Sequence, residues 1–398
     1  MFSTCPPRLG HNHRAHGTGR RYTVAMPAAH GDKNPGDPRR YLYRGLFLLV
    51  LPLITACARL AYYGQSIHGQ YALLAARQPI AELLRDHATP EGLKQRLRTV
   101  NDILAFARGE LHLPGHGSYR DYADLKRRYV VWNVFATPEF SLAPRRWCFL
   151  FVGCLDYRGY FSRRDASAFA DQLRAQGLDV YMGGVAAYST LGWFDDPVLN
   201  TMLTWHDARL AEVLLHELVH QKLYLPGDTA FNEALATSVA IYGVRRWLRQ
   251  RGRGRELADY ERHLTAQREF VRLLLATRRE LQRLYDLPLV ETRKRRRKTA
   301  VFEALRTRYQ QWRHCRGDAG DYDAWMASSL NNAKLSAVAT YHDYVGGFDR
   351  LREDAGNDME EFFRRARALA RRDTGERHAR LREMARSGPP SPCARLVE

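Results

Sequence analysis

The sequence has no C-x-x-C pair, and its six cysteines are scattered over 398 residues. That spacing excludes the paired-thiolate zinc knuckle and the thioredoxin-type redox motif. It also lacks an apolar run able to cross a bilayer as a helix, which takes about 20 residues; the run Gly45–Leu53 is far too short. Acidic residues are in deficit, 43 against 62 Lys and Arg, for a formal net charge of +19. Such a balance invites a nucleic-acid partner, a reading that the amino terminus argues against below. One further absence points to the centre of the chain. Neither Pro nor Gly occurs from Asp207 to Leu223, so nothing interrupts a helix there.

That stretch carries His216-Glu217-Leu218-Val219-His220, the pattern H-E-x-x-H. On a helix, positions i and i+4 share a face, so His216 and His220 present two imidazoles to one metal ion. Glu217, beside the first ligand, is placed to act as general base on a metal-activated water. Val213, Leu214, Leu215, Leu218 and Val219 make the helix a buried one. Pro226-Gly227-Asp228 breaks it, and Asp228 or Thr229 caps the next. Just inside that second helix stands Glu233, in Asn232-Glu233-Ala234-Leu235-Ala236. A tight turn folds Glu233 back towards the histidines and gives Zn2+ three protein ligands with one position left for water. The competing reading is a surface helix with two solvated histidines and an ion-pairing Glu, which the apolar flanks disfavour.

Residues 1–38 read as a disordered extension or the product of a misplaced start, with Met26 as an alternative. Residues 39–56 read as a signal peptide: Arg39, Arg40 and Arg44, then Gly45–Leu53, then Ile54-Thr55-Ala56 before Cys57. Small residues before Cys57 resemble the lipobox of bacterial lipoproteins. That implies cleavage before Cys57, a lipid on its thiol as the membrane anchor, and, with no Asp after it, the outer membrane facing the periplasm. The alternative is an ordinary secretory peptide with an incidental Cys. An exported protein meets little nucleic acid, so none is expected as a partner. The basic surface is then either merely solvated or in contact with anionic lipid. The same two readings apply to Arg293–Lys298, RKRRRK. Cys148, Cys154, Cys315 and Cys393 are free to form disulfides in an oxidising compartment; Cys148 and Cys154 pair only if the chain turns between them.

Periodicity predicts a mostly helical α+β protein with a small sheet. Helices are expected over Tyr62–Arg77, in two pieces from Ile80 to Arg108, over Tyr119–Tyr129, Asp165–Gln176, Thr237–Arg249, Glu256–Tyr285 and Thr299–Trp312. Strands are expected over Val130–Ala136 and Asp179–Tyr188, with a strand, turn and return in Trp147–Phe161. One domain fills residues 57–385; beyond Phe348 the chain is polar and basic, and residues 386–398 read as a disordered tail.

H-E-x-x-H followed by N-E-x-x-A resembles the gluzincins, the thermolysin-like zinc peptidases whose third ligand is a Glu on the next helix. Here His220 and Glu233 are closer in sequence than in most of them. The resemblance implies a thermolysin-like core and an edge strand that holds a peptide by backbone pairing. Gly183, Gly184 and Ala186 lack the bulk to obstruct such a peptide, or else mark a bulge. It also implies an oxyanion donor beyond the ligands. Tyr341 is the first candidate and His342 the second, unless that aromatic residue is core. Asn331 and Asn332 either bind substrate backbone or cap a helix. Asp195 and Asp196 either pair with a substrate α-ammonium or cap the helix that follows. The blocks YYGQSIHGQYALLAARQPI, GCLDYRGYF, GVAAYSTLGWFDDPVLNTML, HELVH with NEALA, and NNAKLSAVATYHDYVGGF occur in that order over Tyr62–Phe348. Together they resemble a predicted aminopeptidase family of bacterial zinc-dependent lipoproteins. The expectation is a zinc aminopeptidase acting on peptides. Its rivals are a zinc endopeptidase and a non-catalytic envelope lipoprotein with a structural zinc site. A structural site is closed by four ligands, usually with Cys, and no Cys lies near the motif.

Overall fold

Two prolines set the first boundaries. Pro79 and Pro90 each stand at the N-cap of a helix, where the missing N–H costs nothing. The structure, a computed structural model, describes residues 62–115, 117–149, 153–187, 195–317, 322–339 and 344–385. The expectations for residues 1–56, Cys57, Cys393, the tail 386–398, Tyr341 and His342 lie outside the described residues.

Helix α1 covers residues 62–75, β1 Arg77–Pro79, α2 Ile80–Arg85 and α3 Glu91–Leu111. Leu97, Val100, Leu104, Ala107 and Leu111 give α3 a buried stripe at three- and four-residue spacing. The stretch Tyr119–Tyr129, expected to be a helix, is not one. Its centre is β2, Asp121–Ala123, antiparallel to β1 and parallel to a short later strand, Val198–Leu199. Tyr119 and Lys126 have φ of 64° and 52°, outside the helical region, and Asp124 accepts from the Lys126 N–H. This local turn chemistry and the pairing to distant strands outweigh the helical spacing.

The second sheet is built on β3, Val131–Pro138. A hairpin of β4, Trp147–Phe149, and β5, Gly153–Leu155, places Cys148 directly opposite Cys154, and the two form a disulfide. Strand β6, Arg158–Tyr160, pairs with one edge of β3. Helix α4, Arg163–Ala175, is capped by Ser162 and packs Ala166, Ala170 and Leu173 on the sheet. Strand β7, Leu178–Val185, pairs antiparallel with the other edge of β3 and is itself an edge strand. The short strand Val198–Leu199 is β8.

Helices account for the rest: α5 Asn200–Leu203, α6 Asp207–Lys222, α7 Thr229–Gln250, α8 Gly254–Asp286, α9 Glu291–Arg316, α10 Asp323–Ala327 and α11 Asn332–Ala339. Helices α6 and α7 form the centre of the largest core, with Leu214, Leu215, Leu218, Phe231, Leu235 and Val239. Helices α8 to α11 form a second core around Phe270, Phe302, Leu305 and Trp312. The basic run Arg293–Lys298 falls inside α9, which starts eight residues before the expected Thr299. Beyond Phe348 the chain is less featureless than its polarity suggests. Helices α12 Val345–Asp354, α13 Met359–Ala370 and α14 Thr374–Met384 bury Phe348, Phe362, Phe363 and Leu381 in the largest core. Among the described residues the protein is mostly helical, α+β, and no helix is long and apolar enough to cross a membrane.

Candidate metal centre

Leu210, Leu214 and Leu218, with Leu215 and Val219, sink α6 into the core. Burying five such side chains contributes roughly 1.5–3 kcal/mol each, so the helix has little freedom to rotate. That rotation leaves His216 and His220 facing α7, with imidazoles 4.8 Å apart and nearly perpendicular. Their side chains are 22% and 4% exposed.

The turn that returns the chain to this face is specified residue by residue. Gly227 has φ +83°, a conformation that disfavours other residues. Asp228 accepts from the Phe231 N–H at 3.1 Å and caps α7. Asn232, fully buried, holds both backbone groups of Leu225. Glu233 follows and points at the histidines. His216 Nε2 lies 3.1 Å from one Glu233 oxygen, His220 Nε2 lies 3.6 Å from the other, and the two Nε2 atoms are 3.2 Å apart. Donors about 2.0 Å from zinc at tetrahedral angles are roughly 3.3 Å from one another, so this triangle has the dimensions of one face of a zinc tetrahedron. Two neutral imidazoles and a carboxylate are also a zinc donor set. Among the described residues this is the one His, Cys, Asp and Glu group with such spacing. The residues present therefore fit the ion. His220 Nδ1 is buried with no hydrogen-bond partner among the described residues, so the ring is held by packing.

Electrostatics follow from the crowding. Burial, with the neighbouring His216 charge, pushes the His220 imidazole down to about 4. Burial acts downward on His216 too, but the hydrogen bond to Glu233 and the charges of Glu217, Glu233 and Glu212 raise it. Burial acts upward on Glu233, and the two histidines overcome it and lower its carboxyl. Glu217 is half-buried on the same helix, near enough for its charge to act on His216.

Two neighbours escaped sequence reasoning. Tyr224 sets its ring edge-on to His220, centroids 6.2 Å apart, and is 41% exposed. Its phenol is raised by burial and by the Glu233 charge. Tyr224 lies beyond the end of α6, after the extended Leu223, so no helical spacing announces it. The second is a buried cluster below the turn. Arg377 Nε donates to Asp228 at 2.7 Å, and His378 Nε2 lies 2.8 Å from the same carboxylate. No local pattern announces a partner 149 residues away.

The other expected site residues fall as follows. Gly183 and Gly184 lie in β7, and Ala186 just beyond it. A Cβ on Gly184 would meet the Tyr129 ring at 2.5 Å, so this glycine lets Tyr129 lie on the strand. Asn331 Oδ1 caps α11 through the Lys334 N–H, and its Nδ2 donates to the Val180 carbonyl of β7. The buried Asn332 side chain donates to the Glu139 and Ser141 carbonyls and accepts from Tyr285. Asp195 and Asp196 precede β8 and cap no helix; the N-cap of α5 is Leu199. Their loop is tied to the end of α6, because Ser118 Oγ accepts from the Asp196 N–H and from Gln221 Nε2.

Over residues 61–381 the chain matches the model of a family described as "Putative aminopeptidase". That span covers most of the chain, and the protein belongs to this family. No curated protein and no solved structure matches it.

Proposed function

We propose that the protein is a zinc-dependent aminopeptidase with a thermolysin-like catalytic core. His216, His220 and Glu233 hold the metal and Glu217 is the general base. The observation that carries this reading is the triangle of His216 Nε2, His220 Nε2 and the Glu233 carboxylate, with edges of 3.1 to 3.6 Å. Family membership supports the peptidase class and a peptide substrate. Zinc bound there supplies Lewis acidity, polarising a peptide carbonyl and making water acidic near neutral pH. Glu217 takes the proton of the attacking water and returns it to the departing amine. The lowered pKa of His220 keeps that imidazole neutral and ready to ligate at pH 7. The edge of β7 beyond Val180, whose carbonyl Asn331 occupies, is the proposed backbone partner of an extended peptide. Asp195, exposed in the loop tied to α6 through Ser118, is the proposed counter-charge for a free α-ammonium; Asp196 is buried. Tyr341, or His342 in its place, is the proposed oxyanion donor. Residues 39–56 are the proposed export signal, with a lipid on Cys57. The Cys148–Cys154 disulfide accords with an oxidising periplasm.

The test is metal content and peptide hydrolysis by the chain from Ala58 onward, beside Glu217→Gln. One zinc per chain and trimming of free amino termini are expected. Glu217→Gln keeps the metal and loses activity by about 10²- to 10⁴-fold. Bound zinc with no cleavage of any peptide by either protein would sink the enzymatic reading.

A further inference from the structure

Apolar side chains remain in water at the tip of the α8–α9 hairpin. Leu287 is 42% exposed and Val290 70% exposed. Cations crowd around them: from Arg279 to Lys298 there are eight Lys and Arg against three acids, Glu280, Asp286 and Glu291. Part of this charge serves the fold. Lys298 is buried on Asp179 and the Glu139 carbonyl, Arg295 forks onto Glu139, and Lys294 donates to the Tyr285 carbonyl. Arg293, Arg296 and Arg297 are exposed, and their side chains make no hydrogen bond or ion pair among the described residues.

Beside the tip a cavity of about 450 Å³ opens between the helices, with Leu284 and Val301 as its buried floor and Arg283 and Arg297 at its mouth. Its one acid, Glu280, is answered by Arg308 at 3.0 Å. Arg283 spends only its Nε, on the Arg279 carbonyl. The result is a cationic rim over an apolar floor, next to two exposed aliphatic side chains.

We propose that this tip is a docking surface for a bilayer containing anionic phospholipid. Leu287 and Val290 enter the headgroup layer, while Arg283, Arg293, Arg296 and Arg297 pair with lipid phosphates. A bilayer satisfies both halves of the surface, because apolar side chains gain from the acyl boundary and each cation gains from the negative leaflet. A nucleic acid would take the cations and leave the two aliphatic side chains in water. A merely solvated face accounts for the charge and not for Leu287 and Val290. This inference is independent of the peptidase reading, since it uses no residue of the metal centre.

The experiment is local hydrogen exchange on the full chain carrying Cys57→Ser, so that no acyl chain attaches the protein. Vesicles of phosphatidylcholine alone are compared with vesicles containing about one third phosphatidylglycerol. Exchange at Leu287–Val290 is expected to slow at least about fivefold on the anionic vesicles only, and added salt should reverse it, as for a surface potential screened over a Debye length. The triple variant Arg283→Gln, Arg293→Gln, Arg297→Gln should weaken vesicle binding at the tip by at least about tenfold. Leu287→Ser with Val290→Ser should abolish the protection while leaving salt-sensitive association. All five side chains are exposed, and a thermal melt checks that the variants stay folded. Equal protection on both vesicles, or a triple variant that behaves as wild type, overturns the proposal. So does protection of the tip by a DNA duplex with none by vesicles.

Discussion

Asn232 holds Leu225 by both of its backbone groups: Oδ1 accepts from the Leu225 N–H and Nδ2 donates to the Leu225 carbonyl, each at 2.8 Å. The pair closes the connection between the two helices that carry the proposed ligands, one residue before Glu233. Asn232→Ala would leave the part-buried Leu225 N–H without this acceptor, at about 1–3 kcal/mol, while the Leu225 carbonyl still accepts from the Asp228 N–H; it would also free Glu233 to drift. The expected result is a loss of about 1–3 kcal/mol in denaturant melts, with zinc affinity reduced about 10- to 100-fold in a chelator competition. Unchanged zinc affinity would show that Glu233 needs no such clamp.

Arg377 secures the same turn from below. Asp228 caps α7 and its side chain is only 3% exposed. Removing Arg377 leaves that carboxylate with His378 as its one remaining ionic partner among the described residues, so Arg377→Ala is expected to cost about 3–5 kcal/mol. The effect depends on pH. Burial acts to raise the Asp228 carboxyl, but the Phe231 N–H, Arg377 and His378 bring it below its ordinary 3.8. Its contribution is therefore present above 3.8 and lost as the pH falls through the depressed value. The gap between wild type and variant should narrow below about pH 4. A gap independent of pH from 7 to 3 would refute the ionic account.

Tyr224 sets its ring edge-on to His220, and the Glu233 charge acts on its phenol. Tyr224→Ala should lower zinc affinity by about tenfold, because the ring no longer restrains the His220 imidazole or keeps water from it. Tyr224→Phe keeps the ring and should keep the affinity. If the two variants lose affinity equally, the hydroxyl matters and the ring does not.

Lys334 lies fully buried, with Nζ donating to Ser328 and to the Trp325 carbonyl and no carboxylate within ion-pair distance among the described residues. Burial lowers its pKa from 10.5 to about 8. The unfolded chain then binds more protons between these values, so this group makes stability rise from pH 8 to 10.5. Wild type should gain on the order of 2 kcal/mol relative to Lys334→Met across that window. Parallel stability curves for the two proteins would contradict the buried-cation account.

The helices of the proposed metal centre are legible in the sequence because their causes are local. An apolar stripe buries α6, Pro226 and Gly227 stop it, Asp228 caps α7, and H-E-x-x-H puts two imidazoles on one face. The segment Tyr119–Tyr129 departs from its helical spacing for the opposite reason. Its backbone is pinned to β1 and β8 and to Asp196, partners that no local window contains. The packing of α12 to α14 was hidden by their charge, since a few well-spaced apolar residues such as Phe362 and Phe363 suffice to bury a mostly polar helix.

By itself, the sequence determined the α+β class, the helix–turn–helix around the motif and the identity of the three proposed ligands, because residue type and spacing along one chain decide them. Only the tertiary structure decided the edges of the His216, His220 and Glu233 triangle, the Asn232 clamp, the hold of Arg377 on Asp228 and the exposure of Leu287 and Val290. Each of these depends on distances between elements, and those are set by how the cores close.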